Sequence, residues 1–425
     1  MSLPATSHQI LIVGGGAAGI ATASSLLARD ATLDIAIIDP AQTHYYQPGW
    51  TLVGAGVFSP GSTARSMAQV IPKGVQWIKA SVRGFEPKRN LVILEDGRSI
   101  GYAQLVVCPG LTLDWSAIDG LVDTLGSNGV TSNYRFDLAP YTWELVQGLS
   151  QGLNQSPKPL HALFTQPPMP IKCAGAPQKA MYLACDHWHR NGRPGAIRTQ
   201  FCNAGGVLFG VPEYVPALMK YIERYAIDLH FGRTLVAVNG PAKRATFMQA
   251  RPDGSREAVE SPFDMLHVVP PQAAPEFIRS SPLADAAGWL DVDPATLVHR
   301  RFANVHGLGD ATNTPNAKTA AAARKQAPVV ANNLLLALGR AVQSATYDGY
   351  GSCPLTVERG KIVLAEFTYG GKLAPSFPGW LLDGRRPTRL AWWLKSRVLP
   401  PLYWRGMLKG REWLAKPRQT ATLDD

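Results

Sequence analysis

The clearest pattern of apolar and polar positions lies at the start of the chain. Gln9-Ile10-Leu11-Ile12-Val13 is a buried-strand run, followed by a glycine turn and an Ala/Leu-rich helix reaching about Arg29. Asp34-Ile35-Ala36-Ile37-Ile38 is a second strand, ending on Asp39. Further strands are predicted at Leu105-Val106-Val107, His161 to Thr165, Met265 to Val269 and Asn304 to Gly307. A small-residue helix is predicted from Thr319, and another from Gln178 to about Arg190 behind Pro177. Strands alternating with helices predict an α/β chain. No apolar run reaches the ~18 residues that would suggest a membrane-spanning helix.

The first turn carries chemistry. Gly14, Gly16 and Gly19 give the G-x-G-x-x-G spacing between strand and helix. They allow a tight turn, close approach of the backbone to a pyrophosphate, and close helix–strand packing. The helix N-terminus then faces phosphate, and Asp39, 20 residues beyond Gly19, can take a ribose hydroxyl. Leu105-Val106-Val107 leads into Cys108-Pro109-Gly110, and Asn304 to Gly309 ends on Asp310. Both segments resemble those that close over FAD in the two-dinucleotide-domain flavoprotein superfamily, where the late Asp holds the ribityl chain. That resemblance implies non-covalent FAD and two Rossmann-like domains. Residues 8–125 and 290–345 form the flavin-binding domain in this reading, 126–289 the second domain, and 346–425 a C-terminal region.

In the middle, His161 to Thr165 runs into Gln166-Pro167-Pro168-Met169-Pro170 where a nicotinamide-dinucleotide domain would repeat the glycine turn. Prolines remove the amide donors that a phosphate cradle needs. The second domain is therefore expected to keep its α/β shape without binding NAD(P)H.

Five cysteines stand at 108, 173, 185, 202 and 353, with neither C-x-x-C nor zinc spacing. Cys173 precedes a helix N-terminus between Lys172 and Lys179, an environment that favours thiolate. Cys353 falls in a glycine-rich stretch read as a turn, while Cys108, Cys185 and Cys202 read as packing residues. His187 and His189, two apart on a helix, point away from each other, and no metal site is expected. The role of Glu213 and Tyr214 stays open between proton transfer and turn structure.

Lys172-Cys173-Ala174-Gly175-Ala176-Pro177-Gln178-Lys179 and Tyr347-Asp348-Gly349-Tyr350-Gly351-Ser352-Cys353-Pro354 resemble sulfide:quinone oxidoreductases, in the branch that includes the mitochondrial enzyme. His44 to Gly56 and Asn316 to Ala322 fit the same branch. The resemblance covers about residues 8 to 415. It implies a redox pair, Cys173 and Cys353, on one face of the flavin and a membrane quinone on the other. Hydrosulfide attacks the oxidised link, Cys353 keeps the persulfide, and Cys173 is the thiolate that engages FAD. FAD contacts are implied at Ala18, Gly19, Asp39, Gln47, Val82, Asp310 and Lys318. It further implies that sulfane sulfur passes to glutathione, sulfite, cyanide or polysulfide. Relatives with a further cysteine after the Gly-Asp segment differ from this chain, which has Ala311 there.

Composition adds one feature. The 425 residues are 46% hydrophobic and 17% charged, with net charge +11. Arg385 to Arg418 holds ten basic residues against Glu412, together with Trp392, Trp393, Trp404 and Trp413. Tyr403, Trp404, Met407, Leu408 and Leu414 fall on one side of a helical projection, with Arg405, Lys409, Glu412 and Lys416 away from it. Such amphipathic helices suit an anionic lipid surface; the alternative is a helix pair packed on the body. No nucleic-acid motif accompanies the charge. The first residues, MSLPATSHQ, hold no apolar export core, so peripheral attachment at the cytoplasmic face of the cell membrane is expected. A second copy of the chain is a further candidate partner.

Overall fold

The computed structural model describes residues 6–152, 158–191 and 195–419. Residues 1–5 of the start read for an export signal, and 420–425 of the C-terminal region, lie outside the described residues.

The first sheet is built on Thr6–Val13, whose Ile10, Leu11 and Ile12 are fully buried. A strand that is apolar on both faces needs cover on both sides, which is the parallel-sheet signature. Val75–Ile78, Ile35–Ile38, Thr6–Val13, Ser99–Val107 and Val305–Gly307 lie side by side in that order, all parallel. Ile12 stands opposite Ile37 on one side and Val106 on the other. Leu91–Leu94 and Val82–Glu86 extend the sheet as an antiparallel meander. Helices Ala17–Arg29 and Ala320–Ala337 pack together over one face through Ile20, Leu26, Val330 and Leu334. Thr319 caps the second by accepting from the Ala322 amide.

A second parallel sheet runs Val130–Thr131, Met265–His267, Leu160–Gln166, Ile197–Asn203 and Asp228–Phe231. Arg233–Asn239, Arg244–Ala250 and Arg256–Pro262 form an antiparallel sheet beside it. Helix Ala176–Asn191 covers the second sheet with Ala180, Met181 and Ala184 in the core.

Cys353 is not in a turn. It lies in Gly351–Glu358, the first strand of a hairpin whose second strand is Lys361–Phe367, and it stands opposite Ala365. Alternate side chains Cys353, Leu355 and Val357 face the helix Ala176–Asn191 core, and Arg359-Gly360 makes the reversal. Asp186 fixes the hairpin end, accepting from the Arg359 amide at 2.9 Å. Glu358 holds it to Arg224 at 2.8 Å.

The tail departs most from expectation. Tyr403, Trp404, Met407 and Leu408, read as a lipid-facing stripe, are buried in the core around helix Ala17–Arg29. Ser24 donates to the Leu408 carbonyl at 2.9 Å, and Glu412 accepts from Ser25 at 2.6 Å and from Arg29 at 2.9 Å. Helical projection shows that an apolar stripe exists, not what covers it; here the first sheet's helix does. Leu414, from the same stripe, is exposed, and its positive φ puts it outside any helix. Among the described residues of this region Trp380, Leu381, Leu390, Trp393 and Trp413 are also exposed. Among the described residues no helix is long and apolar enough to cross a membrane.

Candidate active site

The glycine turn has the geometry its spacing implied. Gly14 has φ +110°, and a Cβ there would stand 2.6 Å from the Cys108 carbonyl oxygen. A Cβ on Gly19 would stand 1.9 Å from the Gly14 carbonyl oxygen, so helix and strand meet backbone to backbone. Beside Gly16, at the helix N-terminus, a Cβ would meet nothing within 4 Å. That is the open space a diphosphate needs, above free amides and the positive end of the helix. Ala18 lies in the first turn. Asp39 accepts from the Gly15 amide at 2.6 Å and the Ala41 amide at 2.8 Å, which holds its carboxylate beside the loop. Burial raises its pKa against those two donors.

The other predicted contacts gather on the same side. The Asp39 amide bonds to Ile78, and Val82 begins the next strand four residues on. A Cβ on Gly309 would stand 3.4 Å from the Ala18 side chain, so the late Gly309-Asp310 turn closes over the first helix. Asp310 has Lys318 and Lys172 as its cationic neighbours, and burial raises its pKa against them. Lys318 donates to the Thr312 carbonyl at 2.7 Å and stands over the Trp289 ring at 4.3 Å. Burial lowers its pKa to about 8. Gln47 accepts from Lys172 at 2.8 Å. An open cradle, a buried carboxylate and an amide-rich N-terminus fit a dinucleotide.

The cysteines meet where the two sheets approach each other. Cys173 donates its amide to the Lys318 carbonyl at 2.8 Å, tying the loop before helix Ala176–Asn191 to the segment before helix Ala320–Ala337. Its φ of +47° is rare for a side chain with a Cβ, and such strain gathers at functional sites. The Cys173 and Cys353 sulfurs are 3.9 Å apart. Lys179, one turn into the helix and almost fully buried, donates to Cys173 Sγ at 3.1 Å. The Cys173 thiol is pulled well below its ordinary pKa by the hydrogen bond from Cys353 and by the Lys179 ammonium, against burial. Cys353 moves well above, because its proton bridges to Cys173 and because it is buried. A Cβ on Gly175 would stand 2.4 Å from Cys353 Sγ. Only glycine therefore admits Cys353 beside the start of the helix. Cys108, Cys185 and Cys202 are buried, with thiols pushed up by burial.

Two residues of the site, Lys395 and Tyr134, are given no site role by the sequence alone. Lys395, counted with the tail charges, is 4% exposed and lies within electrostatic reach of Lys179, Cys173 and Cys353. Tyr134 donates to the Lys172 carbonyl at 2.9 Å. His44 donates from Nδ1 to the Gly15 carbonyl at 3.1 Å and accepts the Tyr403 hydroxyl at Nε2, 2.6 Å away, linking glycine turn and tail. Glu213 and Tyr214 end the short 3-10 turn Pro212–Tyr214, and the Tyr214 hydroxyl donates to the Glu366 carbonyl at 3.0 Å, a structural clamp on the hairpin. His187 packs edge-on against Trp143.

Residues 8–140 match the pyridine nucleotide-disulphide oxidoreductase family. The chain is 41% identical to a mitochondrial sulfide:quinone oxidoreductase of Dictyostelium discoideum over 410 residues, 96% of this chain and 87% of that one. It is 37% identical to the Mus musculus mitochondrial sulfide:quinone oxidoreductase over 403 residues, 95% and 87% of the two chains. The solved sulfide:quinone oxidoreductase of Aquifex aeolicus superposes with a TM-score of 0.77 at 17% identity, over 99% of this chain and 98% of that one, which shows a shared fold. The chain belongs to the sulfide:quinone oxidoreductase family.

Proposed function

We propose that this chain oxidises sulfide at Cys173 and Cys353 and passes the two electrons through FAD to a membrane quinone. The observation that carries the site assignment is the 3.9 Å sulfur pair at a helix N-terminus with Lys179 3.1 Å from Cys173. Hydrosulfide attacks the oxidised Cys173–Cys353 link at Cys353, leaving a persulfide there and thiolate on Cys173. Lys179 and the helix N-terminus hold that thiolate, so Cys173 is the better leaving group. An acceptor such as glutathione, sulfite, cyanide or polysulfide then removes the sulfane sulfur from Cys353. When bound, FAD supplies the two-electron relay to quinone. Gly14, Gly16, Ala18 and Gly19 would hold its diphosphate and Asp39 a ribose, with Gln47, Val82, Asp310 and Lys318 as its other contacts. The assignment fits a flavin domain of 8–125 and 290–345, a second domain of 126–289 and a C-terminal region of 346–425. Sulfide-driven bleaching of the flavin, with and without a quinone analogue, tests the reaction.

The membrane contact in this reading moves from the Trp404 stripe to Trp380, Leu381, Leu390 and Trp393. Trp380 is 86% and Trp393 53% exposed, and Arg385, Arg386, Arg389 and Arg397 lie among them in the sequence, all exposed. Leu382, Ala391, Ile362 and Leu364 pack beneath as one small cluster. Trp beside Arg on such a surface suits an anionic lipid interface, where a lipid-soluble quinone enters.

A further inference from the structure

The short helix Arg389–Trp393 does not continue regularly. Leu394–Val398 widens into a π turn, where the Leu399 amide bonds back to the Leu394 carbonyl five residues earlier. Such turns often mark functional sites because they re-aim one side chain. Here Trp393 faces out and Lys395 is buried. Its Nζ contacts the Pro48 carbonyl at 3.4 Å, a long bond for a group with three donors. The titratable groups facing it are Cys173 and Cys353, from the loop and the hairpin, and Lys179, from the helix. The Gln47–Gly49 turn offers it a carbonyl. Thr51 Oγ1 and Trp50 Nε1, on the next turn, are buried with no partner among the described residues.

The two buried lysines differ in what they can do. Lys179 is held cationic by the thiolate 3.1 Å away, so it cannot accept a proton. Lys395 feels burial and the Lys179 charge, which lower its pKa to about 7, so its neutral amine is accessible. Neighbouring groups pushed apart in this way divide electrostatic and proton-transfer work.

We propose that Lys395 is the proton acceptor of the sulfur site. Hydrogen sulfide gives one proton to the Lys395 amine as its sulfur attacks Cys353. A new S–S bond forms there, the Cys173–Cys353 bond breaks, and its electron pair stays on Cys173. The products are an ammonium, a Cys353 hydropersulfide and a Cys173 thiolate; the ammonium returns its proton to water before the next turnover. The oxidised link is regenerated by the quinone of the family reaction. This step rests on the reading of Cys173 and Cys353 as the redox pair.

The test uses the full-length, FAD-loaded protein with Lys395→Met and Lys395→Arg, alongside Cys353→Ser. Sulfide-driven flavin reduction is followed across pH, and alkylation of Cys173 by iodoacetamide is followed in the reduced proteins. Both lysine variants should lose about 100-fold or more, within the range of a general base. Arg should not rescue, because guanidinium cannot take a proton. Small primary amines should restore the Met variant in proportion to their free-base concentration. Alkylation of Cys173 should stay fast in the Arg variant and slow only slightly in the Met variant, since Lys179, the larger cationic influence, is intact. Full activity in Lys395→Arg, or joint loss of flavin reduction and Cys173 reactivity, would overturn the proposal, leaving Lys395 a fixed charge or a packing element. Wild-type rates in Lys395→Met with a dead Cys353→Ser would overturn it alone; an active Cys353→Ser would remove the redox pair beneath it.

Discussion

Replacing Lys179 by Met isolates the charge that holds the Cys173 thiolate. The side chains are nearly the same length, so the helix and its packing should survive. At the observed 3.1 Å, with an effective dielectric of about 20, the pair is worth about 5 kcal/mol. The Cys353 hydrogen bond and the helix N-terminus remain, and burial of both groups offsets part of the attraction. The Cys173 pKa is therefore expected to rise in the variant. The wild-type thiol has a lowered pKa, which favours thiolate; the variant should hold more of the protonated thiol at the same pH. Iodoacetamide alkylation of Cys173 in the reduced protein, followed by peptide mass spectrometry across pH, reads this directly. The alkylation rate at pH 7 should fall by about 100-fold or more, and the midpoint of the rate profile should move alkaline. An unmoved midpoint would mean that the ammonium does not set the thiolate, and the electrostatic argument for Cys173 would fail.

Other consequences can be checked separately. His44, His267 and His306 are buried neutral, each with its pKa lowered to about 4 by burial. Their contribution is complete above the unfolded value of 6.5 and is lost as pH falls from there toward 4, about 2 kcal/mol per histidine by pH 5. Urea midpoints should drop accordingly between pH 7 and 5; equal midpoints would refute this. Leu408→Ala should cost about 2–5 kcal/mol of stability, because Leu408 is fully buried against the first helix. Trp380→Ser with Trp393→Ser should leave the melting temperature unchanged yet weaken sedimentation with anionic vesicles, at about 1.5–3 kcal/mol per buried side chain; undiminished sedimentation would remove these residues from the lipid contact. NADH and NADPH should not bleach the flavin at a useful rate, because Cys353 and Leu355 pack against Gly175 where an open cradle would have to lie. Rapid bleaching in stopped flow would contradict that reading.

What could be read in advance followed from local rules. Gly14 and Gly19 are required by close backbone approach and Gly16 leaves the cradle open, while the helix to Arg29 and the Thr319 start follow from capping and period. The Cys173 environment was legible because Lys172, Lys179 and the helix N-terminus are close in sequence. The Cys353 strand was misread as a turn because Gly349 and Gly351 mask the alternation that begins at Cys353. The tail was legible as an amphipathic stripe but not in what covers it, since Ser24, Ser25 and Arg29 lie nearly 400 residues away. Lys395 could not be picked from ten basic residues, because only the π turn aims it inward.

The central claim is that sulfide oxidation runs through the Cys173–Cys353 pair. Anaerobic stopped-flow mixing of sulfide with FAD-loaded Cys173→Ser, Cys353→Ser and Cys185→Ser variants tests it most directly. The first two should bind FAD and fail to be reduced by sulfide, while Cys185→Ser, whose thiol is buried in packing, should bleach at close to the wild-type rate. Wild-type bleaching in Cys353→Ser would contradict the account.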